Sequence, residues 1–442
     1  MSTSADSRKG AQGRAVAAGD LAAVARPVRA LLFIAAFLLA WVTLEPYADL
    51  ANTGVLDMAT GREAATYLAF ALIAASAAAM VLASQPRPLL ALLHPVWIAM
   101  AVWLPVTVLT SQDFGTSLRR FVLFTLVATV SAAVFLLPRG RFDLARLLAI
   151  VLALVLGLSY FGALLFPELA VHQATDILEP QLAGDWRGVF AHKNTAGAIF
   201  AMGLFMAIYV ARSGLPGPGL VLALLCLAFV ALSGAKSSTM LMVIALAVSA
   251  FVVSVHSFAL RAMAMLTPLM VLMALGPGTV VNETLARLVA ALPLDVTFTG
   301  RTDIWEFALE KIAERPLTGW GFSAFWTLES TRHGAEDLTQ WAGKAAAHAH
   351  NGYLDAALNL GLPGLVLTVL AFVLLPMRDF HQARSQRADA ALSLMLLQVW
   401  LFGIYLSVME SFLFMRFDPI WITFLFAVFG LRYLARYPHV SP

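Results

Sequence analysis

Apolar residues run along this chain in long unbroken blocks rather than in the alternating or one-faced patterns of soluble strands and helices. Crossing the hydrocarbon of a bilayer takes about 20 apolar residues per helix, and about twelve segments approach that length. They fall at 30–44, 64–84, 89–111, 121–138, 147–166, 188–211, 219–235, 237–255, 262–280, 353–376, 390–409 and 419–434. Several contain Pro or Gly, which membrane helices tolerate when neighbours satisfy the freed backbone groups. The pattern predicts an all-α, polytopic membrane helical bundle of about twelve transmembrane helices. Residues 1–29 form a polar, Ala/Gly/Ser/Arg-rich tail expected to be disordered. Spans fill 30–280 and 353–434, a large loop at 281–352 precedes the tenth span, and 435–442 is a second tail.

Polar residues interrupt these blocks in only two long places. The segment 167–187 carries Glu168, His172, Asp176, Glu179 and Asp185. The segment 281–352 is long enough to fold, and within it "GRTDIWEFALEKIAERPLTGWG" (300–321) reads as a short amphipathic helix. Thr302 is a candidate cap, and Asp303 and Glu306 suit a first turn. Ile304, Trp305, Phe307, Leu309 and Ile312 make its apolar stripe, and Pro316 and Gly319 stop it. Such a helix would lie on the outer membrane surface or on the bundle.

Composition agrees: 60% of the 442 residues are hydrophobic and 12% are charged, against about 25% charged in an ordinary soluble domain. The charges then orient the chain. With the N-terminus inside, the cytoplasmic side collects Arg8, Lys9, Arg14, Arg26, Arg29, Arg87, Arg139, Arg141, Arg146, Arg212, Arg261, Arg378, Arg384, Arg387, Arg432 and Arg436, more than half of the 29 Lys and Arg. That bias follows the positive-inside rule and puts both termini in the cytoplasm. The net charge of +3 therefore reflects topology, and no nucleic-acid patch is expected. No small-residue cleavage site follows the first apolar run, so a removable signal peptide is not expected. Cys226 lies inside a span and reads as a small packing residue.

Ionisable groups within or at the edge of a membrane cost about 2.5–3.5 kcal/mol at a helix centre, so each needs a partner or a task. The outer side carries many. Arg119 and Arg120 open the fourth span; Arg187, His192, Lys193 and Asn194 open the sixth; Lys236 sits at the turn into the eighth. Arg301 opens the amphipathic helix, His348, His350 and Asn351 open the tenth span, and Glu410 and Arg416 lie at the last outer turn. Any one cation reads equally well as a snorkelling anchor or a structural ion pair. Together, cations beside helix N-termini make an anion site, and arginine suits phosphate because its planar fork bonds two oxygens. His348 and His350, two residues apart with no third ligand supplied, do not make a closed metal site. A histidine at a helix N-terminus faces the positive end of the dipole, which disfavours imidazolium and suits a general base. Trp320, Phe322, Phe325, Trp326 and Trp341 could stack on a sugar or anchor the loop in the membrane surface.

Four stretches in order, "RGVFAHKNTAGAIFA", "LSGAKSST", "GRTDIWEFALEKIAERPLTGWGFSAFW" and "HAHNGYLDAALNLGLPGL", resemble the O-antigen ligase and polysaccharide polymerase family, most closely its exopolysaccharide branch. The resemblance covers roughly 187–364. It implies a membrane-embedded, metal-independent, inverting-type glycosyltransferase of the bacterial inner membrane, needing no cofactor. Its substrate would be an undecaprenyl-diphosphate-linked glycan met on the periplasmic side, with a chain-length regulator or other export proteins as partners. By motif, Arg187 and Arg301 would hold the donor diphosphate together with Lys236, which stands where many relatives have Arg and would act as a point charge. His350, in a His-x10-Gly spacing with Gly361, would activate the acceptor hydroxyl. Lys193, Asn194, His348, Asn351, Asp355 and Glu410 would support these groups or touch sugar.

Three other readings stay open at this point. A ligase of the same fold would pass finished glycan to lipid A–core or to a protein. A transporter of an anionic or lipid-linked solute would use the same cations without needing a base. A structural envelope partner would explain the spans but not the outer cations.

Overall fold

The computed structural model describes residues 25–44, 46–51, 59–177, 179–291, 301–327, 348–415 and 417–438. Most of the expected N-terminal tail, with Arg8, Lys9 and Arg14, lies outside these residues, as do Trp341, Arg416 and residues 439–442. The described residues are helical throughout apart from turns and one isolated antiparallel bridge, Val171 to Trp186. The helices that matter below are α1 (25–41), α2 (Ala59–Ser84), α3 (Pro95–Leu109), α4 (Phe114–Val134), α5 (Arg141–Leu165), α6 (Lys193–Arg212), α7 (Pro216–Leu232), α8 (Lys236–Ser254), α9 (Phe258–Leu275), α10 (Arg301–Glu314), α11 (Gly352–Ser385), α12 (Ala390–Leu406) and α13 (Pro419–Arg436).

Eight helices are long and apolar enough to cross a membrane, and α3, α7 and α12 are shorter apolar helices. The chain is a polytopic, multi-pass membrane protein. Each apolar block read from the sequence has a helix, although ends differ by several residues. α1 already runs at residue 25, and within it Arg29 is buried and donates to the Leu137 carbonyl at 3.1 Å. α4 starts at Phe114, capped by Asp113, whose side chain accepts from Thr116 N–H, so Arg119 and Arg120 lie in its second turn rather than at its mouth.

α6, α12 and α13 pack against one another at the centre and bury nearly all their side chains. α2 and α9 stand at the periphery with exposed Leu68, Leu72, Met263 and Met270, the faces that a bilayer would cover. α10 lies on the bundle: Ile304, Trp305, Phe307, Ala308 and Ile312 are buried, and it packs on α11. Thr302 falls inside the first described turn rather than capping it.

α11 is broken on purpose. Gly361 sits at φ 70°, ψ 178° within it, and Pro363 follows. Proline has no N–H for the carbonyl four residues back, Asn359, and the kink frees that of Leu358. The turn after α10 fills both vacancies, Trp320 N–H donating to Leu358 at 2.8 Å and Gly321 N–H to Asn359 at 3.2 Å. In return Leu362 N–H donates to the Pro316 carbonyl at 2.7 Å. The "RPLTGWG" and "NLGLPG" stretches are two halves of one clasp, which ties α10 to α11. Lower in α11, Pro376 leaves the Phe372 carbonyl without a helical donor, and the Trp400 indole supplies one at 2.7 Å. A π-helical turn at Leu370–Leu374 accompanies it.

Candidate active site

The first turn of α11 fixes the site. Asn351 caps it, its side-chain oxygen accepting from Tyr353 N–H at 3.0 Å and Leu354 N–H at 2.9 Å. Its amide nitrogen donates to the Val408 carbonyl at 3.0 Å, and its backbone N–H donates to Ser411 Oγ at 2.9 Å. Gly352 N–H adds a bond to the Ser407 carbonyl at 2.7 Å. The cap therefore also rivets the His348–Asn351 turn to the α12–α13 turn that carries Glu410.

Ala349 is held from both sides. Its N–H meets both carboxylate oxygens of Asp355 at 3.2 Å, and its carbonyl accepts from the Trp305 indole at 2.9 Å. The Trp326 indole donates to Asp355 at 2.7 Å. The next residue, His350, adopts φ 50°, a left-handed conformation uncommon outside glycine and maintained where surroundings over-determine it.

Glu410 is the hub. Asn194 Nδ2 donates to Oε1 at 3.0 Å, Arg301 Nη2 stands 3.4 Å from the same oxygen, and His350 Nδ1 stands 3.5 Å from Oε2. Arg301 Nη1 also donates to the Met409 carbonyl at 2.7 Å. Burial alone would raise the Glu410 carboxyl, but His350 and Arg301 outweigh it and hold the group at about 2. Glu410 is thus a carboxylate at any physiological pH. His350 Nδ1 is buried and has no aligned hydrogen-bond partner, while 30% of the side chain is exposed. The exposed part of the ring therefore lies away from Glu410.

His348 packs edge-on against His350, ring centres 4.2 Å apart, and its Nδ1 accepts from the His350 N–H at 3.3 Å. Burial, with His350 adding to it, pushes His348 down to about 4. It is neutral near pH 7, with its remaining hydrogen on Nε2.

A polar layer from the 167–187 segment backs the site. His192 caps α6 through Nδ1, which accepts from Asn194 N–H at 3.1 Å, so Nε2 donates to Glu179 at 2.8 Å. That bond from His192 holds Glu179 below the usual carboxylate range against its own burial. His172 Nε2 accepts from Lys193 N–H at 3.3 Å while Nδ1 pairs with Asp176 at 2.9 Å, and Lys193 Nζ meets Asp185 at 2.6 Å. The acids of this segment neutralise the base of α6 and hold Asn194 towards Glu410.

The structure thus brings together His350, His348, Arg301, Glu410 and Asn194, with Asn351 and Asp355 as their supports. Lys193 is part of the backing layer. Lys236 is exposed on the first turn of α8. Arg187 is 1% exposed, with Nη1 on the Phe190 carbonyl at 3.2 Å and Nη2 on the Ala48 carbonyl at 2.7 Å. Phe322 and Phe325 are fully buried, and Trp320 donates to the Lys311 carbonyl under Arg315. These rings pack into the layer formed by α10 and the turn that follows it. Sequence reading did not find the Trp305, Trp326 and Ser411 clamps, since none announces a partner so distant in the chain. Among the described residues no group of three His, Cys, Asp or Glu is placed to hold a metal ion.

Residues 220–369 match the family model described as Wzy_C, O-Antigen ligase. The resemblance to the O-antigen ligase family stands. The matched stretch includes Lys236, Arg301, His348, His350, Asn351, Asp355 and the Gly361 clasp. Arg187, Lys193, Asn194 and Glu410 lie outside it. The chain is also 33% identical over 89 residues to the exopolysaccharide production protein ExoQ of Rhizobium meliloti (strain 1021), 20% of this chain and 20% of that protein. The aligned part thus spans about a fifth of the curated relative.

Proposed function

We propose that this protein is a membrane glycosyltransferase that joins lipid-diphosphate-linked oligosaccharide repeats into an exopolysaccharide. The observation that carries this reading is the meeting of His350, Arg301 and Asn194 on Glu410, in a turn locked by Asn351 and Asp355. A base needs one ring nitrogen towards substrate and a partner for the charge it acquires. His350 offers that arrangement, with Glu410 facing Nδ1. In the reaction the acceptor hydroxyl attacks the anomeric carbon of the donor sugar. The new C–O bond forms as the bond to the diphosphate breaks, with inversion, and the hydroxyl proton passes to His350. The diphosphate departs with its charge stabilised by Arg301, joined by Lys236 as a point charge. Arg187 would reach it only by releasing the Phe190 and Ala48 carbonyls, so its role in this reading is to hold the loop between α5 and α6.

In the same reading all the apolar helices span, including α1, α3, α7 and α12, in the bacterial inner membrane. Both ends are cytoplasmic and the site faces the periplasm, where an undecaprenyl-diphosphate glycan is presented. A lipid-linked donor brings its own leaving group, which chemistry outside the cytoplasm requires. The similarity to an exopolysaccharide production protein favours a polymerase. The family description favours a ligase that transfers the glycan to a separate acceptor.

The deciding experiment uses purified protein in bilayers with a lipid-diphosphate-linked repeat unit. A ladder of lengthening glycans that vanishes in His350→Gln is the expected result. Product only when a second acceptor is supplied would replace polymerase by ligase. No product in either case from folded protein would leave solute transport as the better account.

A further inference from the structure

On the face opposite His350, the ends of α11 and α13 and the loop before α3 enclose a small cavity of about 160 Å³ lined by His94, Arg378, Gln382, Arg432, Ala435 and Arg436. The placement follows from helix direction. α3 ends beside the outer turn, where Gln112 N–H bonds the Trp320 carbonyl, so His94 stands at its far end. α11 begins at His350's turn and α13 near Glu410, so Arg378 and Arg436 also lie at far ends. Arg378 and Gln382 are one helical turn apart on α11, as are Arg432 and Arg436 on α13, so each helix turns two of these polar groups to one side.

The lining consists mainly of donors. Arg432 spends Nε on the Ala91 carbonyl at 2.8 Å and Nη1 on Asp379 at 2.7 Å. That leaves Nη2. Asp379, which is 1% exposed, is the carboxylate that faces the cluster, and Arg432 takes it up. Arg378 and Arg436 are exposed and make no hydrogen bond or ion pair with the described residues. His94 Nδ1 accepts from Val96 N–H at 3.3 Å, so its Nε2 carries a hydrogen. Burial, then Arg432 and Arg378, lower the His94 pKa. A general inward bias of arginine explains basic residues on this side. It does not explain three guanidiniums and an imidazole N–H gathered on one concavity.

We propose that this cavity binds a phosphate-bearing anion, independently of the reaction at His350. Planar guanidiniums bond phosphate oxygens in pairs, and the volume exceeds the roughly 30 Å³ share of a water molecule severalfold. Helix ends place it at headgroup depth, where basic pockets between helices hold anionic lipids. The phosphate is either the headgroup of an anionic phospholipid or a free phosphate from the aqueous side.

The test measures thermal unfolding of full-length protein in two arms. One compares phosphatidylcholine bilayers with and without phosphatidylglycerol; the other adds inorganic phosphate to delipidated protein in detergent. The Arg378→Gln/Arg436→Gln double variant removes two exposed charges and leaves Arg432 on Asp379. Wild type should be stabilised in at least one arm, with apparent affinity falling on the order of thirtyfold in the double variant. Stabilisation only by phosphatidylglycerol identifies a lipid headgroup, and stabilisation by inorganic phosphate identifies a free anion. Equal responses of wild type and variant, or no response in either arm, would overturn the proposal. If the double variant does not fold, Arg436→Gln alone, on the exposed last turn of α13, gives the same comparison at about a fivefold effect.

Discussion

The clasp between α10 and α11 offers the sharpest quantitative test of the fold. Gly361 has φ 70° and ψ 178°, a region essentially closed to residues with a side chain, where occupancy costs about 1–3 kcal/mol. A Cβ at this position would also press into the Leu317 carbonyl and come within 3.0 Å of Gly319 N. The two backbones would have to separate, and the Trp320–Leu358 and Leu362–Pro316 bonds would lengthen together. A buried acceptor left without a donor costs about 1–3 kcal/mol. Gly361→Ala should therefore destabilise the protein by about 2–6 kcal/mol. The control is Gly157→Ala in α5, where a Cβ meets nothing within 4 Å and the backbone is helical. It should be neutral or stabilising by up to about 1 kcal/mol, since alanine is the better helix former. Thermal unfolding of both variants in one detergent, read by tryptophan fluorescence, makes the comparison. Gly361→Ala unfolding at the wild-type temperature would refute the clasp as a source of stability. Because α10 carries Arg301, the same variant should also lose transfer activity below its unfolding temperature, whereas Gly157→Ala should keep it.

Other consequences concern the candidate site. Glu410→Gln keeps the shape of the hub but removes the counter-charge of the half-buried Arg301; activity should fall by at least two orders of magnitude, and retained turnover in a glycan assay would remove Glu410 from the mechanism. Trp326→Phe deletes the indole bond to Asp355 and trims its packing on Phe307 and Phe325, so kcat should fall and stability should drop by about 1–3 kcal/mol; an unchanged kcat would mean the turn needs no such clamp. His348 is held at about 4, below its ordinary value, so the unfolded chain binds the extra proton between about pH 6.5 and 4. Stability should then rise with pH across that window, by up to about 3 kcal/mol from this residue. Glu410 is depressed instead, and its contribution is lost only as pH falls below the ordinary carboxylate range towards about 2. His348→Gln should accordingly flatten the pH 4–6.5 slope in unfolding experiments, and an unaltered slope would count against the burial argument. Arg187→Gln should lower the unfolding temperature more than it raises KM, because its guanidinium is spent on carbonyl oxygens; the reverse result would restore it as a substrate ligand.

Much of this protein was legible in one dimension because a membrane imposes one-dimensional rules. Blocks of apolar residues must become helices, since no water is available to satisfy a bare backbone, and each block did. The amphipathic stripe of α10 and the gathering of polar chemistry at "HKN", "HAHN" and "MES" could also be read locally, because a stripe repeats over one or two turns; the caps at Asn351 and His192 were not read, and Thr302 does not cap α10. Three-dimensional packing decided what those groups do. Arg187 and Arg301 look alike in sequence, yet one is buried on the Phe190 and Ala48 carbonyls and the other reaches Glu410. That difference depends on residues about 109 and 139 positions away along the chain. Trp320, Phe322, Phe325 and Trp326 became packing groups or hydrogen-bond donors where α10 packs on α11. The sequence determined which segments enter the membrane and which polar residues wait at its edges. Tertiary structure decided which of those residues meet, because side-chain partners are set by helix packing and by backbone vacancies that only distant segments fill.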